Sequence, residues 1–129
     1  MDVPAGFEII GRRALYRPVG VVSLDEAAGM VATAIARSIE KGATELLADI
    51  RGLTGFPSPN TTQQYFLATE WATSAQGRFR LAIVARPETM DSARFGETVA
   101  YNRGLVARTF VTEGEAAAWL DGERPSARS

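Results

Sequence analysis

The chain has 129 residues, which is enough for one domain with a substantial core, and 46% of them are hydrophobic. Its 14 basic and 15 acidic residues leave a formal net charge of -1, so no overall field attracts nucleic acid or an anionic membrane. The sequence contains no cysteine and no histidine, which excludes disulfides, thiolate nucleophiles, histidine metal ligands and the commonest acid–base group at neutral pH.

The N-terminal part predicts a β-hairpin followed by a helix. Residues 7–10 and 14–22 are rich in β-branched and aromatic residues and predict two strands, with Pro18 placing the second near an edge or a bulge. Ser23 begins a helix and Glu26 completes a capping box with it. The first residues lack a signal-peptide pattern and no apolar run is long enough to span a membrane. We therefore expect a cytoplasmic protein without nucleic-acid or membrane partners.

Two strands and a helix follow in the middle of the chain. Residues 44–50, "TELLADI", form a continuous apolar run that is typical of a central strand covered on both faces. Asn60 caps a second helix that ends at Gly77, and Gln63 stands at the third helical position. Residues 78–85, "RFRLAIVA", predict another buried strand.

The C-terminal part predicts a third helix, a strand and a last helix. Asp91 or Ser92 caps the third helix, which ends at Gly104; "ARTFV" is the strand and "EGEAAAWL" the final helix. The predicted order is β-β-α-β-α-β-α-β-α. Three strand–helix–strand crossovers require a mostly parallel sheet, to which the hairpin adds an antiparallel strand. We expect one α/β domain over residues 1–122 and a polar C-terminal tail over 123–129.

The segment "LLADIRGLTGFPS", which ends the third strand, carries a resemblance to a known family. Together with "RLAIVA", "FGETVAYNRG", "AAAWL" and the predicted order, it resembles the STAS domain and more closely the SpoIIAA-like group of small bacterial proteins. The resemblance implies a SpoIIAA-like (STAS-like) fold with a mixed, mostly parallel sheet. It also implies a non-enzymatic interaction module with a regulatory role.

Anti-sigma-factor antagonists of this fold carry an acid after the third strand and a serine that a partner kinase phosphorylates. The loop of that pattern also carries a glycine and a hydroxyl. Asp49, Gly52 and Thr54 match the acid, the glycine and the hydroxyl, but "PSPN" stands where an Asp-Ser-Ser-Gly segment would open the next helix. The candidate phosphoacceptors are therefore the remaining hydroxyls of this region: Ser58, Thr54, Thr61 and Thr62.

The loop over residues 51–60 lies where ligands bind in open parallel sheets, beyond the carboxyl ends of the strands. One hypothesis makes it a ligand or partner site. An alternative makes it a joint in which glycines allow tight turns, prolines stiffen the chain and an asparagine caps the helix. The candidate site residues are Asp49, Arg51, Gly52, Gly55, Phe56 and Asn60.

Aromatic residues on the second helix suggest a surface or a pocket. Tyr65, Phe66 and Trp71 cannot all face one sheet at helical spacing. We predict Phe66 in the core and the other two on the flanks, where they bind a partner or an apolar ligand, or merely cover sheet edges. Tyr101 and Arg103 either contribute to such a pocket or only end the third helix.

Three classes of function remain open. The first is a non-enzymatic module that binds a protein partner or self-associates as a homodimer. The second is a carrier of a small apolar or amphipathic ligand, which an enclosed cavity near Phe56, Tyr65 and Phe66 would favour. The third is an enzyme without histidine, which requires a strongly perturbed pKa at Asp49 or Glu70 beside a hydroxyl. The sequence has no phosphate loop, dinucleotide fingerprint or carboxylates at metal spacing, so we expect no cofactor or metal.

Overall fold

The computed structural model describes residues 5–77 and 79–122. A five-stranded sheet has the spatial order β1-β2-β4-β6-β7, in which β1 and β2 are antiparallel and the remaining neighbours are parallel. Its strands are β1 (Phe7–Ile10), β2 (Arg13–Tyr16), β4 (Glu45–Asp49), β6 (Arg80–Val84) and β7 (Val106–Phe110). The predicted α/β fold with a mixed, mostly parallel sheet is confirmed. The predicted tail over residues 123–129 lies outside the described residues.

The helices follow the predicted order. They are α1 (Leu24–Glu40), α2 (Thr61–Ala75), α3 (Met90–Asn102) and α4 (Glu113–Leu120), with a short 3-10 helix at Pro87–Thr89. Capping boxes open α1 and α2, with Ser23 paired to Glu26 and Asn60 paired to Gln63. Both capping boxes are confirmed, because each pair satisfies two helix-terminal N–H groups that would otherwise lack acceptors.

The predicted strand over residues 14–22 is wrong, because the chain leaves the sheet after Tyr16. Pro18 has no N–H to donate to a ladder, and it lies buried between two separate short strands. Residues Gly20–Val21 form β3, which pairs in parallel with β5 (Leu53–Thr54) in a small second sheet. The 51–60 loop is therefore anchored to the segment that precedes α1.

The predicted cap of the third helix is also wrong. Thr89 is the N-cap residue, without a side-chain cap hydrogen bond, and α3 begins at Met90. The 3-10 turn that starts at Pro87 runs directly into α3, so the helix is already formed before Asp91 and Ser92. The hydroxyl of Ser92 donates instead to the carbonyl oxygen of Pro59 at 2.8 Å.

The two faces of the sheet carry different layers. Leu46, Ala48 and Ile83 belong to the core cluster shared with α1, α2 and α3. Leu47 and Val84 belong to a smaller cluster with α4 on the other face. Successive side chains of a strand point to opposite faces, so neighbouring residues at a strand end reach different sides of the molecule.

Candidate functional site

A cavity of about 190 Å³ lies beyond the carboxyl ends of β4 and β6, among α1, α2 and the start of α3. Ile50, Ile83 and Ala85 line it from the sheet. Its apolar wall from the helices consists of Leu24, Ala27, Ala28, Val31, Leu67 and Trp71. This is the position at which open parallel sheets bind ligands.

The mouth of the cavity is bounded by the 51–60 loop and the 3-10 turn. The hydroxyls of Ser58 and Thr89 face each other across it at 3.4 Å. Arg86 and Glu88 are the charged residues of the lining. Arg86 donates to the carbonyl oxygen of Arg51 at 2.9 Å, which holds the loop against the end of β6. The mouth is therefore polar, whereas the wall from the helices is apolar.

Trp71, which we predicted on a flank of α2, forms part of the cavity wall. Its indole N–H donates to the carbonyl oxygen of Ala28 at 3.1 Å. Phe66, predicted in the core, is 63% exposed, so that prediction is wrong. The reason is that α2 packs between α1 and α3 through Gln64 and small residues such as Ala68. Phe66 stands about 200° around the helix from Gln64, on the outer side.

Tyr65, Tyr101 and Arg103 do not line the cavity. Arg103 donates to the Tyr65 hydroxyl at 2.8 Å, and its guanidinium lies 5.5 Å from the centre of that ring. The Tyr65 ring also contacts Phe66 edge to face, and Tyr101 is 70% exposed. The structure therefore separates these residues from Trp71. We call Tyr65, Phe66 and Tyr101 the outer aromatic residues.

Asp49 is buried and points to the α4 side of the sheet, away from the cavity that Ile50 lines. Both carboxylate oxygens accept hydrogen bonds from the Arg51 guanidinium, at 2.9 and 2.7 Å. Burial alone would raise the pKa of the Asp49 carboxyl, but the hydrogen bonds from Arg51 and one shared with Glu113 outweigh it and lower the pKa to about 2. Asp49 is thus an ion-paired carboxylate that holds the loop, and a group with so low a pKa is a poor general base at neutral pH.

The two glycines of the loop allow the close approach of β5 to β3. A Cβ on Gly52 would lie 2.8 Å from the carbonyl oxygen of Pro18. Gly55 has a φ of +106°, and a Cβ there would lie 2.5 Å from the carbonyl oxygen of Val22. Phe56, in contrast, reaches the cavity lining.

The candidate phosphoacceptors lie in three different environments. The Thr54 hydroxyl contacts the carbonyl oxygen of Gly20 at 3.5 Å, beside the β3–β5 pair. Thr61 and Thr62 are exposed in the first turn of α2. Ser58 is exposed and is the member of the set that lines the cavity. Phosphorylation of any of them remains a prediction.

Two polar residues that line the cavity were not predicted as site residues from the sequence. Gln64 on α2 and Thr109 on β7 are 7% and 9% exposed, and both line the cavity. The position of Gln64 on the inner face follows from helical spacing to Ala68, which is the signal that could have revealed it. Thr109 carries no such signal, because its strand lies at the edge of the sheet and its face is decided by packing.

Within residues 5–77 and 79–122, no three acidic side chains are grouped so that they could hold a metal ion. No helix of these residues combines the length and the apolar character needed to cross a bilayer.

Comparison with protein-family models and with curated proteins produced no match. Among solved structures, the anti-sigma factor antagonist SpoIIAA in its unphosphorylated form matches this chain over 92% of its length. The match covers 96% of that protein at 20% identity, with a TM-score of 0.46. The matched protein is a member of the family that the sequence resembles.

Proposed function

We propose that this protein is a non-catalytic binding module whose ligand is a small, mainly apolar molecule held in the cavity between α1, α2 and the sheet. The single observation that carries the proposal is the cavity of about 190 Å³ with its apolar wall. Pockets of this kind, apolar with a few polar groups, are the usual form of a small-molecule site.

The size of the cavity sets the size of the ligand. An apolar cavity of roughly 150 Å³ accepts one benzene molecule. A cavity of about 190 Å³ therefore accepts one ring with a small substituent, or an aliphatic molecule of similar volume. The wall residues Leu24, Val31 and Leu67 exclude water from the apolar body of such a ligand and so favour its transfer from solvent.

The proposal is tested by filling the cavity. Ala28 is buried in its wall, so Ala28→Leu places three carbons in the space that the ligand would occupy. Ala36→Leu makes the same change on α1 at a position outside the lining. Binding of p-xylene is followed by isothermal titration calorimetry and by the fluorescence of Trp71 in a Trp119→Phe background.

We expect saturable binding of p-xylene to the wild type and to the control variant Ala36→Leu. We expect no binding to Ala28→Leu. Absence of saturable binding to the wild type would overturn the proposal. So would equal binding to both variants, because the molecule would then bind elsewhere on the surface.

Association with a second copy of the chain is the other candidate function, and the outer aromatic residues favour it. Phe66 is 63% and Tyr101 70% exposed, and aromatic side chains with a neighbouring arginine such as Arg103 are enriched in protein interfaces. A two-fold dimer is the commonest closed assembly of a single chain.

Light scattering coupled to size exclusion measures this association directly. We expect a dimer mass for the wild type and a monomer mass for Phe66→Ser, whereas Ile10→Ser, a control at another exposed apolar residue, keeps the dimer. A wild-type monomer at high protein concentration would rule out self-association through this surface.

Ser58 is the phosphoacceptor that the geometry favours within the predicted set. Its hydroxyl is exposed at the mouth of the cavity, where a phosphate would add roughly -1.5 to -2 charges beside the ligand entrance. Mass spectrometry of protein purified from its own cells tests this assignment. We expect one phosphate on Ser58; an unmodified protein, or a phosphate confined to Thr54, would contradict it.

A further inference from the structure

The cavity has a polar inner end as well as a polar mouth. A smaller void of about 30 Å³ shares Gln64, Trp71, Ile83, Ala93 and Thr109 with the main cavity, and so adjoins it on the side of β7 and α3. The inner end is thus built around two polar side chains that are more than nine-tenths buried, Gln64 and Thr109.

The hydroxyl of Thr109 has no hydrogen-bond partner among residues 5–77 and 79–122, although the backbone N–H of the same residue is bound by Glu97 at 2.8 Å. No buried side-chain polar atom in this part of the chain is both sealed off and unpaired. The hydroxyl is therefore not sealed off, and Thr109 lines both the void and the main cavity, as does its strand partner Ile83. An accessible hydroxyl without a protein partner keeps its donor and acceptor capacity for a group that enters the cavity.

The amide of Gln64 completes the inner end. Its Nε2 donates to the hydroxyl of Ser92 at 3.3 Å, and the carbonyl end of the side chain lies towards Gly96 on the facing helix. Gln64 and Thr109 together offer both donor and acceptor capacity. A ligand hydroxyl, which is itself both donor and acceptor, matches this pair.

The charges around the inner end disfavour an ionic ligand group there. Glu97 also lines the small void, and its carboxylate is already bound by Arg94 at 2.9 Å and by the N–H of Thr109. A ligand carboxylate would be repelled by Glu97, whereas a ligand ammonium would lose its hydration beside a carboxylate whose charge Arg94 already balances. A neutral group avoids both penalties.

We infer that the cavity recognises a small uncharged molecule with an apolar body of about one ring and one hydroxyl group, which binds Thr109 at the inner end. This inference rests on the proposed function, because it assigns the chemistry of the same ligand. The apolar body of the ligand packs against the wall formed by α1 and α2, and its hydroxyl points towards the inner end.

The test compares p-cresol with p-xylene, which has a methyl group in place of the hydroxyl, and with benzoate as the anion. Calorimetric affinities are measured for the wild type, for Thr109→Val, which removes the hydroxyl at constant shape, and for Thr109→Ser, which keeps it. Thr98→Val is the control, because Thr98 is an exposed threonine on α3.

We expect the ratio of p-cresol affinity to p-xylene affinity to fall about fivefold in Thr109→Val, the effect of losing one neutral hydrogen bond. The ratio stays unchanged in Thr109→Ser and in Thr98→Val. If Thr109→Val does not fold, the comparison of the wild type with Thr109→Ser still tests the inference, since both must prefer p-cresol to benzoate.

An unchanged ratio in Thr109→Val overturns this inference and leaves the proposed function standing. Tightest binding of benzoate also overturns it, because the polar group of the ligand would then lie at Arg86 in the mouth. Failure of all three molecules to saturate the wild type overturns the proposed function together with the inference.

Discussion

The carboxylate of Glu97 accepts a 2.8 Å hydrogen bond from the backbone N–H of Thr109, and so joins α3 to the edge strand β7. In a parallel edge strand, alternate N–H groups point away from the sheet and lack a ladder partner. Glu97 satisfies one of them, and at the same position the Thr109 side chain faces the cavity. One residue pair thus holds both the edge of the sheet and the inner end of the proposed site.

Removal of this acceptor is expected to destabilise the fold. Glu97→Ala leaves a largely buried N–H without a partner, which costs about 1–3 kcal/mol of unfolding free energy. Glu97→Gln retains an oxygen acceptor and is expected to lose less. Urea denaturation measures both, with Glu70→Ala on the exposed face of α2 as the control. A Glu97→Ala protein as stable as this control would show that the hydrogen bond contributes nothing.

Gly96 of α3 is expected to respond to alanine differently from Gly29 of α1. A Cβ on Gly96 would lie 2.8 Å from Oε1 of Gln64, whereas a Cβ on Gly29 meets nothing within 4 Å. Gly29→Ala is therefore expected to raise the unfolding free energy by up to about 1 kcal/mol, the ordinary gain in helix propensity. Gly96→Ala is expected to give no gain, because Gln64 must move from its hydrogen bond with Ser92.

A double-mutant cycle separates the effect of the Gly96–Gln64 contact on the unfolding free energy from the effect of helix propensity. In a Gln64→Ala background the obstacle is absent, so Gly96→Ala is expected to stabilise α3 as Gly29→Ala stabilises α1. If Gly96→Ala has the same effect in both backgrounds, the close packing of α2 on α3 does not involve Gln64.

Asp49 makes the stability of the protein depend on pH in acid. Its pKa is about 2 in the folded protein against an ordinary value of 3.8. Because the folded value is the lower one, this contribution is fully present above about pH 4 and is lost as the pH falls towards 2. A shift of this size corresponds to about 2 kcal/mol at neutral pH, as an upper value, since the Arg51 side chain is partly exposed.

Asp49→Asn removes the titrating group. We expect this variant to be less stable than the wild type at pH 6 and to lose less stability between pH 4 and pH 2. Chemical denaturation at each pH gives the two curves, and Glu70→Gln provides an exposed carboxylate for comparison. Parallel curves for the wild type and Asp49→Asn would mean that the ion pair with Arg51 does not couple to folding.

The N-cap of α2 supports the helix that carries Gln64 and Trp71. Asn60 Oδ1 accepts from the N–H of Gln63 at 2.8 Å, and Gln63 Oε1 accepts from the N–H of Asn60. Asn60→Ala is expected to cost about 1 kcal/mol of unfolding free energy. Asn60→Ser is expected to recover most of this loss, and thermal unfolding distinguishes the two. Equal losses in both variants would assign the effect to the loop rather than to the cap.

The sequence determined the features that depend on neighbours a few residues away. The order of the five main-sheet strands and the four helices, both capping boxes and the mostly parallel sheet follow from such local patterns, and the structure has them. The division of residues 14–22 into two strands lay beyond local propensity, because β3 pairs with β5 more than thirty residues later.

Tertiary packing alone decided which residues form the candidate site. Helical spacing shows that Phe66 and Trp71 face different ways, but only the position of α2 between α1 and α3 turns Trp71 inward. In the same way, strand alternation separates Asp49 from Ile50, and the layer on each face decides which of them reaches the cavity. The sequence sets such periodicities, whereas their orientation depends on contacts between distant segments that form only when the whole domain packs.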